Sequence, residues 1–333
     1  MPHPPLDTEC QHPQAMDDED SGSAEADAAE ARKCRELPRA AEQGNVAAVR
    51  SFLRTEPETL EKELGFKTSL MLAADKGHAE VVKLLLAAGA KLEARHRWQR
   101  RLGGDDKTSL QLATDKGHLE VVKLLLAAGA SSSTRDHQGF TPLHQAAIRG
   151  HVVVAELLLA SGAGVNERQS LPLGSGVNER KTHVETTPLW LAARFGHEAM
   201  IELLLSAGAR MNDAPSPLSV AANSGHAGVV QLLLSKGATM PSKVLHGAAS
   251  NGDVDVVKVL LAARASVNAR NGRGDTPWDC ARFGGQGARY QEVLDLLNAA
   301  QEREAEQKAL EEARRKAEDD SRPKRCFGLC PRR

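Results

Sequence analysis

Two stretches decide the reading: Asp75–Ala90, DKGHAEVVKLLLAAGA, and Asp115–Ala130, DKGHLEVVKLLLAAGA, agree at fifteen of sixteen positions. The same Gly and Leu spacing returns in TPLHQAAIRGHVVVAELLLASGA from Thr141, TPLWLAARFGHEAMIELLLSAGA from Thr187 and SPLSVAANSGHAGVVQLLLSKGA from Ser216. Fainter copies are KVLHGAASNGDVDVVKVLLAARA from Lys243, TPWDCARFGG from Thr276 with YQEVLDLL after it, and AAEQGNVAAVRSFL from Ala40. The chain therefore writes about eight units, the poorest at its two ends.

Each position of the pattern has a physical reason. Thr141 can cap a first helix through its hydroxyl, and Pro142 at the first helical position gives up an N–H that would lack a partner anyway. Ala146 and Ala147 let neighbouring helices approach closely, and Gly150 ends the first helix and turns the chain into a second. In that second helix the residues Val121, Val122, Leu124, Leu125 and Leu126 exceed one narrow apolar stripe, so it must be covered from more than one direction. A lone unit buries too few aliphatic side chains to offset the backbone entropy of ordering it. Stacking gives each second helix two covered flanks, which is why the pattern has to recur.

Thr141, Pro142, Leu143, His144 and Ala146 spell T-P-L-H-x-A, and units of about 33 residues carrying this motif resemble the ankyrin repeat. The resemblance covers residues 36–297 and implies an all-α solenoid of about eight helix-turn-helix units. An acidic arm (residues 1–35) is expected to be disordered, since residues 1 to 32 hold nine acids against Arg32 alone. A charged helical extension is expected over 298–320, and a basic, Cys-containing tail over 321–333. The resemblance also implies a non-catalytic scaffold or adaptor that binds one or more proteins along a concave groove and its inter-repeat fingers. The family's groove positions precede the Thr and the helix-ending Gly. They fall here on Lys67, Asp75, Lys76, Lys107, Asp115, Lys116, Phe140, Ile148 and Arg149, then on Arg194, Phe195, Asn223, Ser224, Ser250, Asn251, Arg282 and Phe283. His78, His118, His151, His197 and His226 share one slot, where the resemblance implies bracing of a turn rather than a metal array.

Departures from even spacing mark the loops. Thr68 to Thr108 spans 40 residues against 33 for Thr108 to Thr141, and the extra seven lie within RHRWQRRLGG, where Trp98, Arg100 and Arg101 are candidate docking residues. Thr141 to Thr187 spans 46 because GAGVNERQ from Gly162 recurs as GSGVNERK from Gly174, a loop expected to protrude. Arg264 stands where other copies have Gly, so that junction is expected to be strained.

Several function classes are disfavoured. A formal net charge of -1 argues against binding nucleic acid, which needs a cationic surplus. Five scattered cysteines suit a reducing, cytoplasmic setting, and MPHPPLDTEC does not read as a secretory signal. No Walker loop, nucleophile elbow, H-E-x-x-H or paired CxxC motif occurs, so no enzyme, cofactor or metal site is expected. In the tail, Cys326 and Cys330 lie among arginines and are candidates for S-acylation. A peripheral membrane tether is therefore the alternative reading, with the tail touching a membrane surface.

Overall fold

The computed structural model describes residues 35–61, 63–64, 67–95, 106–173 and 182–321. They divide into two compact units, one running to Leu191 with Ala199–Ala209, the other made of Ala192–Glu198 and everything from Arg210 on.

In the first unit the helices come in pairs: α1 (35–42) with α2 (Val46–Thr55), α3 (Ser69–Lys76) with α4 (Ala79–Ala87), α5 (Ser109–Lys116) with α6 (Leu119–Ala127), and α7 (Pro142–Arg149) with α8 (Val152–Ala160). Helices α9 (Pro188–Phe195) and α10 (Glu198–Ser206) contribute residues to both units. The second unit adds α11 (Pro217–Asn223) with α12 (Ala227–Ser235), α13 (Val244–Asn251) with α14 (Val254–Ala262), and α15 (Pro277–Gly284) with α16 (Ala288–Ser321). Within each unit, first helices pack on first helices and second on second.

The capping letters act as their chemistry requires. Thr68, Thr108, Thr141 and Thr276 each accept a hydrogen bond from the backbone N–H three residues on, and Gly77, Gly117, Gly150 and Gly252 close their helices in the left-handed conformation. Gly is required at Gly77 for a second reason. The His118 ring of the next pair lies where a Cβ would sit, 2.6 Å from its Nδ1, and its Nε2 is 3.0 Å from the Asp75 carbonyl. His78, His151 and His226 reach back to the Glu42, Asp115 and Arg194 carbonyls in the same way, so the shared histidine slot stitches one turn to the preceding helix.

Second helices bury a fixed triplet: Val81, Val82 and Leu85; Val121, Val122 and Leu125; Val229, Val230 and Leu233; Val256, Val257 and Leu260. Leu124 and Leu126 are half-buried, so α6 is apolar on more than one side.

The fourth letter of the motif forms a buried polar post. Gln111 accepts from Thr108 N and donates through Nε2 to the Thr134 and Phe140 carbonyls, both at 3.0 Å. His144, fully buried, takes the same place in the next pair: its Nδ1 accepts from Thr141 N at 3.3 Å and lies 2.7 Å from Thr141 Oγ1. In the second unit His246 Nε2 lies 3.0 and 3.1 Å from the Ala269 and Asp275 carbonyls.

The structure is mostly helical, as the pattern requires, but two hairpins qualify the all-α expectation. Short strands β1 (Glu63–Leu64) and β2 (Lys67–Thr68) pair antiparallel. Around the duplicated segment, β3 (Gln169–Leu173) pairs antiparallel with β4 (Thr182–Thr186) in the register Gln169 with Thr186 to Leu173 with Thr182. Where a protruding loop was expected, pairing supplies partners for backbone groups that an open loop would leave to water. The helix expected after the last repeat is continuous with it in α16. Tyr290, Val293 and Leu297 are buried, whereas Leu310 is 74% exposed. No helix among the described residues is long and apolar enough to cross a membrane.

Candidate functional site

The positions singled out from the sequence lie at the C-terminal ends of first helices and in the turns before them. In the first unit they largely satisfy one another. Lys67 Nζ is 3.0 Å from Asp75 Oδ2, Lys76 Nζ is 3.8 Å from Glu42 Oε1, and Asp115 joins Lys107 (3.6 Å) to Arg149 of the next pair (2.8 Å). Burial acts to raise the Asp115 carboxyl, but the Arg149 hydrogen bond and the Lys107 charge outweigh it and hold it below the usual carboxylate range. Lys116 is exposed and Ile148 half-buried. The solvent-exposed pair of Lys76 with Glu42 contributes about 0–1 kcal/mol, whereas Lys107 and Asp115 are each only 13% exposed.

Phe140, a groove position by the family pattern, is buried. It is 7% exposed and tilted against the His144 ring, because the turn from Asp136 folds over it: the Asp136 carboxylate accepts from Gln138 N and Phe140 N, and Gln145 Nε2 donates to it. Trp98, Arg100 and Arg101 lie outside the described residues, as do Cys326 and Cys330.

The second unit is different in kind. Phe195 is 45% exposed and Phe283 79% exposed, at the slot that Lys76, Lys116 and Arg149 fill in the first unit. Arg194, half-buried, precedes the first; Arg282 precedes the second, with its guanidinium carbon 5.5 Å above the Trp278 ring. Between them the slots hold the exposed polar residues Asn223, Ser224, Ser250 and Asn251, and Asn251 Nδ2 donates to the Asn223 carbonyl at 2.7 Å. Beside Phe283 opens a cleft of about 670 Å³ walled by Ser250, Asn271, Arg273, Asp275, Cys280 and Phe283. The turn Asn271–Asp275 repeats the Asp136–Phe140 architecture: Asn271 Oδ1 accepts from Arg273 N and Asp275 N, and its Nδ2 points to Cys280 Sγ at 3.7 Å. Burial pushes the Cys280 thiol up, so it stays protonated. The sequence reading named Phe283 but missed this cleft, because Arg273 and Cys280 sit outside the slots the family pattern marks.

Comparison with family profiles bears on the identity directly. Profiles for the ankyrin repeat match residues 67–97, for ankyrin repeats in three copies residues 94–169 and 169–244, and for ankyrin repeats in many copies residues 245–295. The chain belongs to the ankyrin-repeat family. Among solved structures, the crystal structure of the human ASB11 ankyrin repeat domain is similar at 25% identity, covering 69% of this chain and 98% of that one with a TM-score of 0.57. Comparison with curated proteins gave no match. Ankyrin repeats are generally protein–protein interaction modules.

Proposed function

We propose that this chain is a non-catalytic scaffold or adaptor that holds partner proteins against the ends of its first helices and the turns beside them. One observation carries the reading: Phe283 stands 79% exposed in a slot where the same fold is content with Lys76, Lys116, Arg149 or Asn251. The repeat does not require an aromatic ring there, whereas aromatic and arginine side chains together are the usual composition of an interface anchor.

Site-specific photo-crosslinking tests it. A photoreactive residue at Phe195 or Phe283 should capture a native protein, mapped by mass spectrometry, while the same residue at Asp255 on the second-helix side should not. Capture from Asp255 alone, or from none of the three, refutes the reading.

A further inference from the structure

We infer that the cleft beside Phe283 takes an acidic linear segment of a partner protein, one large apolar side chain lying against Phe283 and its neighbouring carboxylates on Arg273 and Arg282. This rests on the interaction surface proposed above and names the chemistry that surface selects.

The apolar part follows from packing. A Cβ on Gly284 would stand 2.2 Å from the Ser250 carbonyl, so α15 and α13 are in backbone contact there, and the ring of Phe283 stands out from the stack beside the Cys280 thiol. Ring and thiol give an apolar wall that lacks a covering side chain, and burying apolar area is the general driving force for filling it.

The acidic part follows from which hydrogen-bonding groups already have partners. Arg273 and Arg282 are exposed, and neither donates to a carboxylate or carbonyl among the described residues. Other arginines do have carboxylate partners: Arg135 pairs with Glu167, Arg149 with Asp115 and Arg168 with Glu185. The acids near the cleft are committed. Asp279 accepts from Thr276 N and Oγ1 at 2.8 and 2.7 Å, and Asp275 accepts from Asn271 Nδ2 at 3.2 Å. Arg270, which precedes this turn, already donates to the Gly274 carbonyl at 2.7 Å. Arg273 and Arg282 are thus the charged side chains here that lack a hydrogen-bond acceptor among the described residues. The Asp279 carboxyl is lowered first by its Thr276 hydrogen bonds, and it is near enough to Arg282 to be lowered by that charge as well. Arg282, next to Phe283 in sequence, is exposed with its guanidinium carbon 5.5 Å from the Trp278 ring centroid, and its planar fork of N–H donors suits a carboxylate.

Length also fits an extended segment. Phe195 and Phe283 are three repeats apart in one unit, roughly 25–30 Å at about 8–10 Å per helix step. Eight or nine extended residues, at about 3.3 Å each, cover that distance. The neutral amides and hydroxyls of Asn223, Ser224, Ser250 and Asn251 lie between, suited to a peptide backbone.

The test is a random-peptide phage library panned on the full chain, with the enriched peptides synthesised and their affinities read by fluorescence anisotropy. Enriched sequences should place Asp or Glu within two residues of a large apolar side chain. Their binding should weaken about tenfold in Phe283→Ala and in Arg273→Glu/Arg282→Glu, and fall as salt is raised. Versions with Lys in place of the acids should bind the charge-reversed chain better than the parent, a gain that misfolding cannot produce. Neutral or basic peptides that still need Phe283 would overturn the acidic assignment while leaving the interaction surface standing. Peptides indifferent to both Phe283 and Phe195 would count against both. A synthetic peptide of residues 1–32, which carry nine acids, should not displace the probe; displacement would make the chain's own arm the occupant and refute the assignment to a partner.

Discussion

Replacing His144 with Gln should leave the protein as stable as the parent at neutral pH and make it more stable in mild acid. The ring is fully buried, and its Nδ1 is the acceptor for Thr141 N, so a second proton has to break that bond and place a charge out of reach of water. Nε2 is buried without a hydrogen-bond partner among the described residues, and burial dominates and takes the group from 6.5 down to about 4, although the Thr186 and Glu167 backbone favours the charged form. The folded pKa is below the unfolded one, so the stabilisation is complete above 6.5 and is lost as pH falls towards 4. A shift of this size is roughly 3 kcal/mol in total, of which about 2–3 kcal/mol disappears between neutrality and about pH 4.5. Gln111 already performs the same bracing with an amide that does not titrate, bonding two carbonyls at 3.0 Å. Urea unfolding followed by far-UV circular dichroism reads the effect. His144→Gln should match the parent within about 1 kcal/mol at neutral pH. Near pH 4.5 its midpoint should be higher by about 1 M or more, at slopes of about 1–3 kcal/mol/M. An equal acid sensitivity in parent and variant would refute the assignment of that sensitivity to His144.

Three further substitutions probe other parts of the account. Arg264 holds φ 63 where its counterparts are Gly, so Arg264→Gly should stabilise the protein by about 1 kcal/mol in the same urea assay and slow amide exchange at the end of α14. Gly117→Ala should cost about 2 kcal/mol or more, because φ is 75 and the His151 ring lies 2.8 Å from the new Cβ; a neutral result would mean the turn is less constrained than its geometry. Asp136→Asn should be neutral or stabilising at pH 7: burial raises that carboxyl, and the amide can donate to Gln145 Oε1, which is buried without a donor. The folded pKa is raised, so the parent's deficit shrinks as pH falls, and a difference that grew in acid would refute this.

What was legible in the sequence is what the repeat writes more than once. Thr141, Pro142 and Gly150 announced the caps, and the Gly-His pairs announced the stitched turns, since backbone geometry accepts few residue types at those points. Gln111 was not legible as a counterpart of His144, because the two share hydrogen-bonding geometry and not chemical class. The burial of Phe140, a groove position by the family pattern, was not legible because it depends on a turn held by Asp136, a contact the slot rule does not contain. Charged slots looked free for partners because Asp115 and Arg149 lie 34 residues apart in the chain and meet only when pairs stack. Duplication of GVNER was read as a loop; pairing of the strands that flank its second copy, Gln169 with Thr186, was not legible, and that copy lies outside the described residues. The Phe283 cleft needs Ser250, Asn271 and Cys280 brought together from three elements, which no single motif encodes.

Far-UV circular dichroism of a synthetic peptide covering residues 106–130, the α5–α6 pair without its neighbours, bears most directly on the stacking from which everything above is built. Deprived of the α3 and α7 surfaces against α5 and the α4 and α8 surfaces against α6, which cover Leu110, Ala113 and Leu125, the peptide should be largely unordered and show no melting transition. A helical monomer with a cooperative thermal transition would contradict the account.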